Sequence, residues 1–399
     1  MISEEINMNF DKLTKYIDDL KDSYQVPACD MIITKDHEIV YRHFTGFSDL
    51  ENTVPLRDDA LFRLFSATKV VTMTAAMQLI EQGKLGLYDQ LTDYIPEFGK
   101  LKVADKFVFE FPLHWPTNED PCHLAHNSIR IIDLMTMTAG MNYDTTAPEI
   151  MAIKEKSGNR ATTLEVVKEM AKIPLLYDPG TSWSYSLAHD VIAAVIEIVS
   201  GMTFGEYLRK NIFEPLEISD FYFTIDEAVK KRLPAMYMGV FATRDLKPEN
   251  GESNADTFKM TDLYESGGAG LVASVSDYSV IIDALANYGV GRNGRRILSE
   301  ESVKMLMTPY TKDYMQQQFE LTGKKGYSYG LGVRVLTDKD ASLSPVGEFG
   351  WDGAAGAYVL VDPINKVSIF YAQHTMGFPI VYSEIHPMLR DLAYEGLNS

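Results

Sequence analysis

Ile6, Phe10, Leu13, Ile17 and Leu20 recur at close to a 3.6-residue period, so Ser3 to Asp22 is expected to form a helix with one apolar face. The pattern then changes. Cys29-Asp-Met-Ile-Ile-Thr and Glu38-Ile-Val-Tyr-Arg-His-Phe-Thr-Gly are β-rich runs split by Lys35-Asp36-His37, which predicts a β-hairpin. A second helix follows and runs to Gln82, with Gly83 as its cap. From about Leu91 to Asn287 the spacing is mostly helical: Ile129 to Gly140, Leu164 to Ile173, Ala188 to Ser200 and Phe204 to Ile212 each fit. Gly180-Thr-Ser-Trp-Ser-Tyr reads as a loop, and Ser266-Gly-Gly-Ala-Gly as a tight turn before a helix that begins near Ser276. The C-terminal part returns to strands. Tyr327-Ser-Tyr-Gly-Leu-Gly-Val-Arg-Val, Glu348-Phe-Gly-Trp, Ala357-Tyr-Val-Leu-Val-Asp-Pro and Lys366-Val-Ser-Ile-Phe-Tyr-Ala-Gln are β-rich, and Ser383 to Tyr394 closes as a helix.

Helix and strands at both ends thus flank a helical insert. The ends are expected to meet in one sheet-containing α/β domain, residues 1–90 and 288–399. Residues 91–287 then form a mostly helical second domain, with the site in the cleft between the two. A chain of 399 residues is long enough for about two cores. No internal repeat or long linker interrupts it.

Composition narrows the partners. Hydrophobic residues make up 46% and charged residues 23%, as in an ordinary globular protein. A net charge of −19 argues against a phosphate-backbone partner, so no nucleic acid is expected. No window approaches 18 uninterrupted apolar residues, so no membrane span is expected. The first residues show no basic n-region and no apolar h-region, and the only cysteines are Cys29 and Cys122. Both features fit a cytoplasmic location, with a trimmed secreted form left open. Oligomeric state is not legible.

The chemistry is concentrated at Ser66-Ala-Thr-Lys69. Side chains at i and i+3 are neighbours on a helix, so Lys69 lies over Ser66. A serine hydroxyl needs a group to take its proton, and a lysine amine does so once its pKa is lowered by burial or by other cations. Such a site also needs a second proton relay and a pair of N–H donors for the oxyanion. Tyr185 sits on a loop at a helix start, where its phenol could share a proton with Lys69 and become phenolate-like. Trp351-Asp-Gly-Ala-Ala-Gly opens a strand with no crowding side chain at Gly353, which would let an N–H there face that of Ser66.

These segments together resemble the serine β-lactamase and penicillin-binding-protein family, in its class C and family VIII esterase branch. Phe65-Ser-Ala-Thr-Lys69 resembles the first motif. Ile129-Arg-Ile-Ile-Asp-Leu-Met-Thr-Met-Thr-Ala-Gly-Met141 resembles the segment usually written Leu-Leu-Thr-His-Thr-Ser-Gly-Leu. Pro179-Gly-Thr-Ser-Trp-Ser-Tyr-Ser186 resembles the second motif, and Phe349-Gly-Trp-Asp-Gly353 falls where Lys-Thr-Gly or His-x-Gly is expected. The resemblance covers nearly the whole chain. It implies a β-lactamase/transpeptidase-like α/β (α+β) fold, with an antiparallel sheet flanked by helices. It implies a serine hydrolase working through an acyl-enzyme, with Ser66, Lys69 and Tyr185 catalytic and the backbone N–H groups of Ser66 and Ala354 as the oxyanion hole. Neither cofactor nor metal is implied.

Two departures bear on the substrate. The family's Tyr-x-Asn reads Tyr185-Ser186-Leu187, and the cation of Lys-Thr-Gly is replaced by Trp351. Leu187, Trp351, Asp352 and Gly353 are therefore read as substrate-binding: an apolar wall, with Asp352 repelling anions. That favours a carboxylesterase for small-molecule esters or amides. A β-lactamase or D-Ala-D-Ala carboxypeptidase, acting on β-lactam or peptide, is the alternative within the fold. A penicillin-binding-type sensor without efficient turnover is the alternative outside enzymology.

Other motifs are read plainly. His123-Leu-Ala-His126, with His114 nearby, lacks a matching carboxylate or cysteine pattern in the sequence, so no metal is expected. Lys324-Lys325 in Leu321-Thr-Gly-Lys-Lys-Gly is read as a solvated turn. Met135, Met137 and Met141 are core filling or border the cleft.

Overall fold

The computed structural model describes residues 8–107, 114–240, 245–248 and 258–399. Part of the helix expected from Ser3, residues 3–7, lies outside them; the described helix, α1, spans Asp11–Tyr24. The hairpin forms as β1 (Ala28–Lys35) and β2 (Glu38–Gly46). Its turn uses Asp36 and His37, both at positive φ, a backbone that matches the right-handed twist of the paired strands.

The second helix, α2, spans Thr68–Glu81, and Gly83 follows it at φ +68°. It is not amphipathic: Thr68 to Leu79 are all buried. A helix covered on every side is a core helix, and α2 runs through the main hydrophobic core beside α3 (Ala188–Ser200).

Next comes α4, Val275–Ala286. The C-terminal strands are β3 (Tyr327–Tyr329), β4 (Arg334–Leu336), β5 (Phe349–Gly350), β6 (Tyr358–Asp362) and β7 (Val367–Gln373). The run Tyr327 to Val335 therefore folds as two antiparallel strands rather than one, turning at Gly332, φ +78°. Helix α5, His386–Leu397, closes the chain.

The two ends of the chain meet in one seven-stranded antiparallel sheet, ordered β3-β4-β5-β6-β7-β1-β2. Alternation divides its residues between two cores. Met31, Ile33, Ile369 and Tyr371 face α1 and α5, packing on Leu13, Ile17, Leu389 and Ala393. Ile32, Phe370 and Ala372 face the other way, into the core that holds α2, α3 and α4. Strands covered on both faces read as unbroken apolar runs, which is why β1 and β7 are buried almost end to end. Helix α4 packs on β7, β1 and β6, with Tyr278 and Phe370 ring centroids 4.3 Å apart. A boundary at residue 287 would assign α4 to the helical part, whereas its packing joins it to the sheet. Among the described residues no single helix is long and apolar enough to cross a membrane.

Candidate active site

Ser66 sits on a 3₁₀ turn, Phe65–Ala67, that leads into α2. Phe65 has φ +44°, a left-handed backbone that a bulky residue rarely adopts. Such strain costs about 1–3 kcal/mol and persists only where the surroundings enforce it. Here Phe65 is buried with Met236 and Ala355, and its ring meets Phe258 edge-on at 5.6 Å. The turn holds Ser66 at the end of a covered helix, 9% exposed.

Lys69 is one turn on. Its Nζ lies 3.4 Å from Ser66 Oγ and donates to the Gly268 carbonyl at 2.7 Å. The Ser266-Gly-Gly-Ala-Gly turn is thus a support for the lysine. Thr72 Oγ1 also donates to Gly267 O, at 2.6 Å. A Cβ on Gly267 would fall 2.5 Å from the His189 carbonyl, and one on Gly268 2.6 Å from Asp190 Oδ2, so this close approach requires glycine at both positions. Asp190 holds the turn from below, accepting from Tyr264 at 2.7 Å and Ser266 at 2.6 Å. Burial pulls the Lys69 ammonium from 10.5 down to about 7, against an upward pull from Asp190.

Tyr185 approaches from the loop ahead of α3. Its hydroxyl donates to Ser66 Oγ at 2.7 Å and accepts from Trp351 Nε1 at 3.1 Å. Lys69 Nζ lies 4.6 Å from the Tyr185 ring centroid. The phenol is not phenolate-like. Burial pushes its pKa well up, more than the hydrogen bonds with Ser66 and Trp351 lower it. The protonation pattern is therefore a neutral phenol beside an amine that is half deprotonated near pH 7.

Trp351, expected as a wall, is 5% exposed and packs on the tyrosines of the site. It stacks on Tyr185 at 5.5 Å with planes 19° apart, and meets Tyr329 edge-on at 5.2 Å. Stacking and the Nε1 hydrogen bond together fix where the phenol points. On the far side, Lys324 Nζ sits 5.4 Å from the Trp351 ring centroid.

Lys324 is not a solvated turn residue. Its side chain is 16% exposed and ion-paired with Asp352, which Arg334 also binds at 2.8 Å. Burial opposes charge on Asp352, yet Arg334 and Lys324 hold its carboxyl well below the usual range. The expectation that Asp352 repels anions is corrected accordingly: its charge is buried and matched by two cations. Leu187 is also displaced from the expected role. It is 3% exposed, lies in the helical core and caps α3, giving its N–H to Asn142 O. It lines no wall, because the helix start turns its side chain inward.

Gly353 and Ala354 pack against the segment that carries Ser66. A Cβ on Gly353 would lie 2.2 Å from the Leu64 carbonyl, so the turn packs directly on the backbone just ahead of Ser66. Ala354 packs with Phe65 in the same small cluster. Tyr382 donates to the carbonyls of Gly353 and Ala354, 3.0 Å each, which fixes the turn's orientation.

Tyr143 was not singled out in the sequence. It stacks on Tyr185 at 5.3 Å with planes 4° apart, and its ring centroid lies 5.7 Å from Lys69 Nζ. Lys69 thus lies beside a stacked pair of tyrosine rings. Met135, Met137 and Met141 are buried in the core. Beside Phe65 lies a cavity of about 40 Å³, whose lining includes Phe65, Phe223, Phe258 and Tyr264 together with two basic residues, Arg63 and Lys259.

A family model described as Beta-lactamase matches residues 13–381. The chain is 27% identical over 390 residues to Esterase EstB of Burkholderia gladioli, covering 91% of this chain and 89% of that protein. It is 27% identical over 374 residues to Protein Rv1367c of Mycobacterium tuberculosis, covering 91% and 90%. Among solved structures, EstCE1, described as a hydrolase with promiscuous acyltransferase activity, superposes with a TM-score of 0.76 at 23% identity, covering 96% and 98%.

Proposed function

The chain belongs to the Beta-lactamase family of serine hydrolases, and from that premise we propose that it is a carboxylesterase for small uncharged esters, with Ser66 as nucleophile and Lys69 as its base. The observation that carries the reading is one hydrogen-bonded chain, Trp351 to Tyr185 to Ser66, ending at an amine whose pKa is about 7.

The chain has a direction. Trp351 donates to Tyr185 and Tyr185 donates to Ser66 Oγ. That leaves the Ser66 proton to point at the lone pair of neutral Lys69, 3.4 Å away. Ser66 Oγ then bonds to the ester carbonyl carbon as its proton passes to Lys69. The carbonyl oxygen becomes an oxyanion, which the N–H groups of Ser66 and Ala354 receive. On collapse the carbon–oxygen bond to the leaving group breaks. Tyr185 gives its proton to the departing alkoxide and regains one from Lys69. Water repeats the sequence on the acyl-enzyme, and the serine ends as it began.

Two features support an uncharged substrate. Trp351 stands where relatives with Lys-Thr-Gly carry a cation. Lys324, over the Trp351 ring, is already paired with Asp352. The similarity to an esterase, EstB, points the same way.

The test is release of p-nitrophenol from the acetate and butyrate esters, run beside nitrocefin. Butyrate should exceed nitrocefin in kcat/KM by at least about tenfold, or 1.4 kcal/mol, and Ser66→Ala should abolish both. Equal efficiency would make the protein a β-lactamase instead. A stoichiometric burst without turnover would make it a sensor.

A further inference from the structure

We propose that His123, His126 and Asp178 form a binding site for one zinc-type divalent cation, which clips a β-hairpin to the start of the loop that carries Tyr185. In the sequence the two histidines lack a carboxylate. The fold supplies two.

His123 lies on the short strand Cys122–Leu124, paired with Lys102–Ala104 in the register Val103 to His123. Asp105 follows that partner strand. Its Oδ1 lies 2.8 Å from His123 Nδ1. A carboxylate on one ring nitrogen fixes the tautomer and leaves the other, Nε2, with a free lone pair; this is how metal-binding histidines are ordinarily held. Here Nε2 points into the cluster, 3.6 Å from Asp178 Oδ2.

Asp178 is only 18% exposed in its side chain, and its two oxygens are divided. Oδ1 accepts from the His126 backbone N–H at 2.6 Å. Oδ2 faces both imidazoles, 2.8 Å from His126 Nδ1 and 3.6 Å from His123 Nε2. One ligand atom from each residue lies within 4.8 Å of the others. Bonds of roughly 2.0–2.2 Å in a tetrahedral zinc site put ligand atoms about 3.3 Å apart. The separations from Asp178 Oδ2, 2.8 and 3.6 Å, fall on either side of that value, and His126, 75% exposed, is free to adjust.

The donor set selects the ion. Two imidazoles and one carboxylate suit zinc, cobalt or nickel, whereas calcium and magnesium take oxygen ligands. Three protein ligands leave the fourth position to water. None of the three residues belongs to the Ser66 hydrogen-bond chain. Pro179 follows Asp178 directly, and Asn127, next to His126, donates to its carbonyl at 3.1 Å. The site therefore ties down the beginning of the Pro179 to Tyr185 segment.

The untagged full chain, stripped by chelator dialysis, is titrated with zinc chloride by calorimetry. One zinc per chain is expected, with Kd below about 10 µM. His123→Ala and His126→Ala should each weaken binding at least about tenfold, and Asp105→Asn by about 10-fold or more through His123. At about a hundredfold excess over Kd, zinc should raise Tm by about 3 °C. Because His126 is largely exposed, its replacement leaves the fold in place, checked by circular dichroism. Absence of saturable binding below about 100 µM, or the same binding in His126→Ala, would reduce the cluster to plain histidine–aspartate hydrogen bonds and overturn the proposal.

Discussion

Ester hydrolysis should switch on as pH rises through 7. Lys69 is the reason: burial pulls its pKa from 10.5 to about 7, since the ammonium has lost its water and keeps the Gly268 carbonyl at 2.7 Å as its close acceptor. With a pKa of about 7 the neutral fraction is roughly 9% at pH 6 and 91% at pH 8, so kcat/KM should rise about tenfold between them and then level. An unshifted lysine would be about 0.03% neutral at pH 7 and would still climb about tenfold per unit at pH 9. Burial therefore supplies about three orders of magnitude in available base, on the order of 4 kcal/mol. Asp190 pulls the other way, so Asp190→Asn should move the limb to lower pH. The assay is initial-rate hydrolysis of p-nitrophenyl butyrate from pH 5 to about 9.5, read at the isosbestic wavelength so that product ionisation does not count. A rate still climbing tenfold per unit at pH 9, or a limb that moves up in Asp190→Asn, would refute Lys69 as the base.

Trp351→Phe keeps an aromatic ring against Tyr185 but removes the Nε1 donor at 3.1 Å. Loss of one neutral hydrogen bond, about 0.5–1.5 kcal/mol, should lower kcat about 2- to 12-fold without moving the pH limb. Gly353→Ala would put a Cβ 2.2 Å from the Leu64 carbonyl; the turn must retreat from Ser66, and kcat should fall about 100- to 1,000-fold, the usual effect of losing an oxyanion donor, while circular dichroism stays native. Lys69→Met should abolish activity yet raise stability. A lysine whose folded pKa is depressed costs stability in full below about 7, and the unfolded chain binds the extra proton between there and 10.5. The gain, up to about 4 kcal/mol in urea titrations, should be largest at or below pH 7 and shrink toward pH 10.

The sequence made the Ser66, Lys69 and Tyr185 constellation legible because its parts are local: one helical turn, one loop at a helix start, one strand opening. The hairpin and the central helices were legible because period carries them. What was missed depends on contacts between distant segments. Tyr143 is one tyrosine among 22, and nothing near it marks the ring that stacks on Tyr185. Asp190 and the Gly268 carbonyl become a lysine cradle only when α3 and the glycine turn meet. Gly-Lys-Lys-Gly is local chemistry for an exposed turn, yet Lys324 is buried because Asp352, 28 residues on, draws it in. The same ion pair undid the expected repulsion at Asp352. Leu187 was assigned to a wall from the motif position alone, whereas the first turn of α3 points it into the core.

The charges around the reaction chain share one arrangement. His189 is kept neutral, chiefly by burial. Tyr185 keeps its proton, and Asp352 is matched by Arg334 and Lys324. A neutral ester thus enters without desolvating an ion, and charge separates only as the oxyanion and the Lys69 ammonium form together, where fixed donors favour it. An anionic substrate meets a chain of net charge −19, and the lysine over the Trp351 ring, Lys324, is already paired with Asp352. Its approach should be repelled at long range when the Debye length is about 30 Å, at 0.01 M salt, and much less so when it is about 8 Å, at 0.15 M. Raising salt over that range should therefore increase kcat/KM for nitrocefin severalfold and leave p-nitrophenyl butyrate unchanged. A nitrocefin rate that falls with salt would mean that a free cation reaches the substrate, and the argument for an uncharged ester would lose its electrostatic basis.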